Sequence, residues 1–207
     1  MTNEIYGIDY LRRRLADKQQ RVLLRYKYYE MKNNAQDFSS LAPEKFKGLK
    51  ETVGWCAKAV DSLADRLQFD EFQNDEFNLS EIFLSNNQDI LIDSAVLSAL
   101  ISACSFVYIR EDNGYPRLQV IDGSNATGII DPVTNLLTEG YAVLERDSMD
   151  VVKTEAYFMA GMTEIYSHGV LVQRIPNAAP YALLVPIIYR PDAKRPFGHS
   201  RISSWKC

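Results

Sequence analysis

Residues suited to acid–base or metal chemistry are few and scattered along this chain. There are two histidines, His168 and His199, and neither has a second histidine, a cysteine or a carboxylate at the spacing of metal ligands. The sequence has no glycine-rich phosphate loop, no G-x-S-x-G elbow and no H-E-x-x-H motif. We therefore predict no catalytic residue, no metal and no cofactor. The three cysteines lie far apart and fit a reducing compartment better than a disulfide or zinc framework: Cys56, Cys104 and Cys207.

The acidic residues offer one alternative to a protein without catalytic residues, namely a metal-dependent hydrolase. Nine acidic residues and a single basic one lie between Asp61 and Asp93. Asp70 and Asp75, each followed by a glutamate, could hold the metal of a hydrolase, although an exposed acidic linker explains them without a ligand. Asp112-Asn113-Gly114 resembles part of a calcium loop, but the remaining ligands are missing, so it predicts a hairpin turn.

Positive charge is concentrated at the start of the chain. Residues 1–50 carry 11 Lys/Arg and 6 Asp/Glu, whereas the other residues carry 12 and 21. Such a basic segment can meet phosphate or an acidic partner, or can simply be a solvated helix face. A DNA-binding module is therefore one hypothesis, in which Tyr26, Tyr28 and Tyr29 stack on bases instead of packing. The candidate contacts are Arg12, Arg13, Arg14, Lys18 and Arg21.

The elements that position these residues follow from hydrophobic periodicity. Asn78 and Glu81 match a capping box at the start of the third helix. Trp55, Val60 and Leu63 on the second helix should pack against the third, which is apolar nearly all round. The spacing predicts three helices, at 8–32, 43–67 and 78–103.

Strand patterns begin after the third helix. Alternating and β-branched segments are separated by turn residues, and we see no internal repeat. They predict strands at 105–110, 117–121, 126–130, 136–146, 151–159, 162–167, 170–175 and 183–189. Helices followed by antiparallel strands define an α+β fold. Ser200, after Pro196 and Gly198, is placed to cap a further helix. The predicted division is 1–103 helical, 104–190 β-rich and 191–207 the start of another segment.

Short motifs recur in a recognisable order along the chain. They are Tyr28-Tyr29-Glu30, Ala59–Leu67, Ala103–Ile109, Asp112–Pro116, Ile121-Asp122, Ile130–Pro132, Val185–Pro191 and Phe197–Ser200. No single motif is specific, but the ordered set spans about residues 5 to 203. In this set the chain resembles the N-terminal half of the portal proteins of tailed bacteriophages.

The resemblance implies a structural subunit and not an enzyme. Portal subunits form a ring, usually a dodecamer, at one capsid vertex, and double-stranded DNA passes through its channel during packaging and ejection. The implied partners are other portal subunits, terminase, scaffold or capsid protein and head–tail connector proteins, with no membrane. The implied location is the virion, after synthesis in the bacterial cytoplasm. The chain would hold most of the wing, with 191–207 entering a truncated stem, and we expect it to be a monomer or weak oligomer.

Overall fold

The computed structural model of the protein describes residues 6–32 and 54–202, in which helices precede strands. This order confirms the predicted α+β class. The helices are α1 (Ile8–Tyr29), α2 (Trp55–Ala64), α3 (Leu79–Ser85) and α4 (Gln88–Ser102). The strands are β1 (Cys104–Asp112), β2 (Tyr115–Ile121), β3 (Ala126–Ile130), β4 (Leu137–Arg146), β5 (Val152–Met159), β6 (Met162–Ser167), β7 (Val170–Pro176) and β8 (Leu184–Ile188).

The strands form two antiparallel sheets that share a core. One has the order β2-β1-β8 and the other β3-β4-β5-β6-β7. Phe106 and Leu184 of the first sheet pack with Leu137 and Phe158 of the second, and all four are fully buried. Burial of such large apolar side chains stabilises the contact between the two sheets.

Tight turns connect the hairpins as the sequence predicts. Asn113 and Gly114 both have positive φ, at 53° and 79°, between β1 and β2. His168 and Gly169 do the same between β6 and β7. Two consecutive residues in this region match the twist of the flanking strands, and asparagine and glycine adopt it at low cost.

The three helical segments predicted from periodicity are only partly correct. The α1 and β-strand bounds agree within a few residues, but the predicted helix over 78–103 is two helices. Asn86 leaves the helix because its side chain bonds the backbone of β2: its Nδ2 donates to the Pro116 carbonyl at 3.0 Å, and its Oδ1 accepts from the Leu118 amide at 3.0 Å. The backbone then turns at Asn87, which has φ 53°.

The predicted capping box is wrong as well. Asn78 is left-handed and makes no side-chain cap bond. The carboxylate of Asp75 caps α3 instead, accepting from the amides of Leu79 at 2.6 Å and Ser80 at 2.7 Å. Asp75 can reach these amides because the turn at Asn78 brings the preceding segment back across the helix start.

The packing of α2 confirms part of the predicted core and corrects the rest. Cys56 and Val60 are buried against α4, and Leu63 packs beside them. Trp55 is 71% exposed, so its prediction as a core residue is wrong. Cys56 and Val60 are four residues apart and share one stripe, whereas Trp55 is rotated by about 100° from Cys56.

Packing crosses the predicted division between helical and β-rich parts. Leu11 and Leu15 of α1 lie on the five-stranded sheet. Near the end of the described chain, the Ser200 hydroxyl donates to the Ile101 carbonyl at 2.5 Å, and Ile202 is buried in the α2–α4 core. The predicted helical stretch over 43–53 and the helix expected beyond Ser200 lie outside the described residues. No helix within the described ranges is long and apolar enough to cross a membrane.

Candidate anion-binding site

The first helix divides its predicted contact residues between two faces. Arg12 points to the five-stranded sheet. The other four, together with Arg25, line a recess of about 630 Å³ between α1, the α4–β1 junction and the loop at Phe197. We call this the cationic recess, and its basic side chains are Arg13, Arg14, Lys18, Arg21 and Arg25.

Lys18 is the most enclosed of these cations. Its Nζ donates to the Ala126 carbonyl at 2.6 Å and lies 5.3 Å and 5.8 Å from the ring centroids of Phe106 and Phe197. It forms no ion pair with a carboxylate in the described part of the chain, although Asp122 lies near enough to favour its charged form. Burial disfavours the charged ammonium and lowers the pKa of Lys18 below its ordinary value.

Arg14 and Arg25 extend the same stripe of the helix. With Lys18 and Arg21 they are spaced by four, three and four residues, which places them on one face. The guanidinium of Arg14 lies 5.3 Å from the Phe197 ring centroid, and Arg25 donates to the Ser102 carbonyl at 2.7 Å. Burial lowers the pKa of Arg25. The prediction missed Arg25, although its spacing from Arg14 and Lys18 was a sufficient signal.

The mouth of the recess carries further positive charge. Arg13 and Arg21 are exposed, and neither forms an ion pair with another described residue. Asp17 is the one acidic residue among the described residues that line the recess. The recess therefore holds an excess of positive charge that the described side chains do not neutralise.

Arg12, in contrast, is neutralised by the sheet. Its Nη2 and Nε donate to the Glu155 carboxylate at 2.5 Å and 3.2 Å, and its Nη1 donates to Asp9 at 2.8 Å. These bonds raise the pKa of Arg12, while partial burial opposes them. Arg12 therefore lies apart from the other four predicted contact residues. Its ion pair with Glu155 joins α1 to β5.

Glu155 belongs to a repeated pattern that the sequence analysis overlooked. The tetrapeptide Thr-Glu-x-Tyr occurs in three consecutive strands, at 138–141 in β4, 154–157 in β5 and 163–166 in β6. The expectation of no internal repeat is therefore wrong. The three glutamates and three tyrosines share one face of the five-stranded sheet, since residues two apart in a strand point the same way.

Each of the three glutamate carboxylates accepts hydrogen bonds from more than one donor. Glu139 accepts from the amides of Tyr6 at 2.8 Å and Gly7 at 2.9 Å, and from the Tyr157 hydroxyl at 2.6 Å. Its carboxylate thereby anchors the start of α1. Tyr141 donates to the Glu155 that binds Arg12. Burial and these carboxylates raise the pKa of Tyr141 and Tyr157.

In the third occurrence of the pattern the glutamate bonds the tyrosine of its own strand and an arginine of the neighbouring strand β7. Glu164 accepts from the Tyr166 hydroxyl at 2.7 Å and from Arg174 at 2.9 Å. Burial, followed by this carboxylate, raises the pKa of Tyr166 to about 12. Because every glutamate of the pattern is hydrogen-bonded, we interpret this face as structural.

The other predicted sites are also accounted for. No group of three or more His, Cys, Asp or Glu side chains in the described residues is placed to hold a metal. Asp75 serves as a helix cap, and backbone amides lower its pKa. His199 is not isolated, because Asp192 lies 2.5 Å from its Nε2 and Arg195 lies 2.8 Å from its Nδ1. The chain folds back on itself between Asp192 and His199, which brings these residues together.

The tyrosines at the end of α1 are engaged in packing. The Tyr26 hydroxyl lies 2.9 Å from the Ser98 hydroxyl, and the Tyr29 hydroxyl donates to Asp61 at 2.8 Å. Burial raises the pKa of each to about 12. Tyr28 packs at the same α1–α2–α4 core. These contacts favour the packing alternative over base stacking.

No family model matches the chain, and no curated protein matches it.

Proposed function

We propose that the chain is a structural subunit of a tailed-phage portal ring, part of the wing that surrounds the DNA channel. The observation that carries the proposal is the ordered set of portal-like motifs, which fall on consecutive elements of an α+β fold. Tyr28-Tyr29-Glu30 ends α1, Ala59–Leu67 covers the second half of α2, and Ala103–Ile109 forms the α4–β1 junction.

The later motifs lie at turns and returns of the chain. Asp112-Asn113-Gly114 makes the β1–β2 turn, and Ile130-Asp131-Pro132 follows β3. Val185–Pro191 covers most of β8, and the last motif, Phe197–Ser200, packs beside the cationic recess and the end of α4. Motif residues that pack within the fold suit a structural subunit. Its partners would be other portal subunits, terminase, scaffold or capsid protein and head–tail connector proteins.

Labelling of assembled particles tests this proposal. Antibodies raised against the purified chain should bind particles of the phage that encodes it at a single vertex, as seen by immunogold electron microscopy. Particles of an unrelated phage provide the control. Label spread over all vertices or over the tail, or particles that lack peptides of this chain by mass spectrometry, would contradict the proposal.

A DNA-binding module is the second candidate, and the unneutralised charge of the cationic recess favours it. Under the portal proposal, binding to DNA is weak and without sequence preference, with a dissociation constant of roughly 10⁻⁴ to 10⁻⁶ M at physiological salt. The test is a salt titration with two duplexes of unrelated sequence. Tight binding to one duplex that persists at high salt would reject the portal proposal in favour of the module.

A further inference from the structure

The cationic recess contains a half-buried cation, Lys18, that forms no ion pair with a described carboxylate. An ammonium removed from water is costly unless another charge or several hydrogen bonds compensate it. Lys18 has one carbonyl, that of Ala126, and two aromatic faces. A ring face attracts a cation only weakly in comparison with a full negative charge. The protein therefore surrounds the ammonium group of Lys18, but no described side chain pairs with its positive charge.

The neighbouring guanidiniums add to this excess. Arg14 and Arg25 lie beside Lys18 on the same stripe, and Arg13 and Arg21 stand at the opening. Asp17, the acidic residue among the described lining residues, offsets a single charge. A ligand with more than one negative charge would neutralise the recess better than any described side chain does.

We propose that the cationic recess binds a phosphate group, with Lys18 at its inner wall and Arg14 and Arg21 as the principal guanidinium contacts. The proposal does not depend on the portal function. Guanidiniums bind phosphate through pairs of parallel hydrogen bonds, and a lysine adds a point charge. A phosphate carries up to two charges and several acceptor oxygens, so it can accept hydrogen bonds from several cations along one helix face, whereas a carboxylate offers one charge and two oxygens.

Two sources can supply this group: free phosphate or pyrophosphate, and the phosphates of a nucleic acid. The first experiment measures binding of sodium pyrophosphate by calorimetry, with sodium chloride of equal ionic strength as the reference. Arg21→Gln should weaken binding by about tenfold or more, because it removes a charge-assisted contact. Arg66→Gln is the matched control, since it is the same exchange at an exposed residue outside the recess. It should change affinity by less than about twofold.

A second variant tests the inner wall. Lys18→Met keeps an unbranched side chain against the two rings and removes the charge. It should lose most pyrophosphate binding while its circular dichroism spectrum stays unchanged. The proposal is overturned if pyrophosphate gives no heat of binding and no shift of the thermal midpoint with the unaltered chain. It is equally overturned if Arg66→Gln weakens binding as much as Arg21→Gln.

Competition identifies the source and the chemistry. If a short oligonucleotide displaces pyrophosphate only when it carries a 5′-terminal phosphate, the recess takes terminal or free phosphate. If duplex DNA displaces pyrophosphate with the same dependence on Arg21, the source is the nucleic-acid backbone. Both results support the phosphate site. If an oligoglutamate of equal charge competes as well as pyrophosphate, the recess recognises an acidic protein segment and the phosphate proposal fails.

Discussion

The two faces of α1 treat the same kind of side chain in opposite ways. Arg12 on one face meets Glu155, a buried carboxylate that is held in turn by Tyr141. Lys18, less than two turns further on, meets a carbonyl and two rings. The comparison shows that basic residues on different faces of one helix can have different electrostatic partners. A cation paired with a carboxylate is already neutralised, whereas one held by a carbonyl and two rings keeps its charge available to a ligand.

The same substitution on the two faces should give the largest contrast. Arg12→Met leaves Glu155 buried without its cation and should lower the free energy of unfolding by about 2 to 3 kcal/mol, less than for a fully buried pair because Arg12 is partly exposed. Lys18→Met removes an uncompensated charge and should leave stability unchanged or raise it by about 1 kcal/mol. Urea unfolding at pH 7 measures both.

A suitable control for this pair is Lys153→Met, which breaks an exposed ion pair with Glu145 and should lower stability far less than Arg12→Met does. Equal losses of stability for Arg12→Met and Lys18→Met would contradict the distinction between the two faces.

Alkaline titration should also distinguish Lys18 from the tyrosines of the five-stranded sheet. The pKa of Lys18 lies below 10.5, so the folded chain releases this proton before the unfolded chain does, and its burial cost disappears as pH rises toward 10.5. The pKa of Tyr157 is raised, so the stability it contributes is present below pH 10 and is lost above it.

Variants separate the two effects in unfolding curves taken between pH 8 and pH 11.5. Lys18→Met should lack the gain below pH 10.5, and Tyr157→Phe should lack part of the loss above pH 10. Tyr166→Phe should remove a smaller part of the loss above pH 10, because the pKa of Tyr166 is raised to about 12. Curves for all three variants that run parallel to that of the unaltered chain would show that these groups keep their ordinary pKa values.

The smallest effect concerns the acidic residue of the recess. Asp17→Asn removes its one opposing charge and should strengthen pyrophosphate binding by about twofold to threefold, a modest gain because Asp17 is exposed and screened by salt. Asp93→Asn, at an exposed position on α4 outside the recess, is the control. Weaker binding by Asp17→Asn would mean that Asp17 orients a cation instead of opposing the ligand.

Most elements of the fold could be predicted because their signals are local. Apolar spacing marked α1, and turn residues such as Asn113-Gly114 marked the hairpins. The break between α3 and α4 could not be predicted, since Asn86 leaves the helix to bond Pro116 and Leu118, which lie 30 and 32 residues further along the chain. Local propensity contains no information on such a partner.

The candidate site shows the same limit. The basic cluster was visible in the sequence, and Arg25 could have been added from its spacing. The separation of Arg12 could not, because Glu155 lies 143 residues away. The Thr-Glu-x-Tyr pattern was visible in principle, but its meaning depends on the pairing of strands, which brings Glu155 opposite Tyr166 and Tyr157 opposite Glu164.

This pairing has a consequence for how the chain folds. If the β5–β6 hairpin formed with its register shifted by two residues toward the turn in β6, every side chain would keep its face, but Glu155 would lie opposite Glu164. Two like charges in that position repel, whereas in the native register each of these glutamates lies opposite a tyrosine. The alternation of glutamate and tyrosine therefore favours the native register of this hairpin over the shifted one.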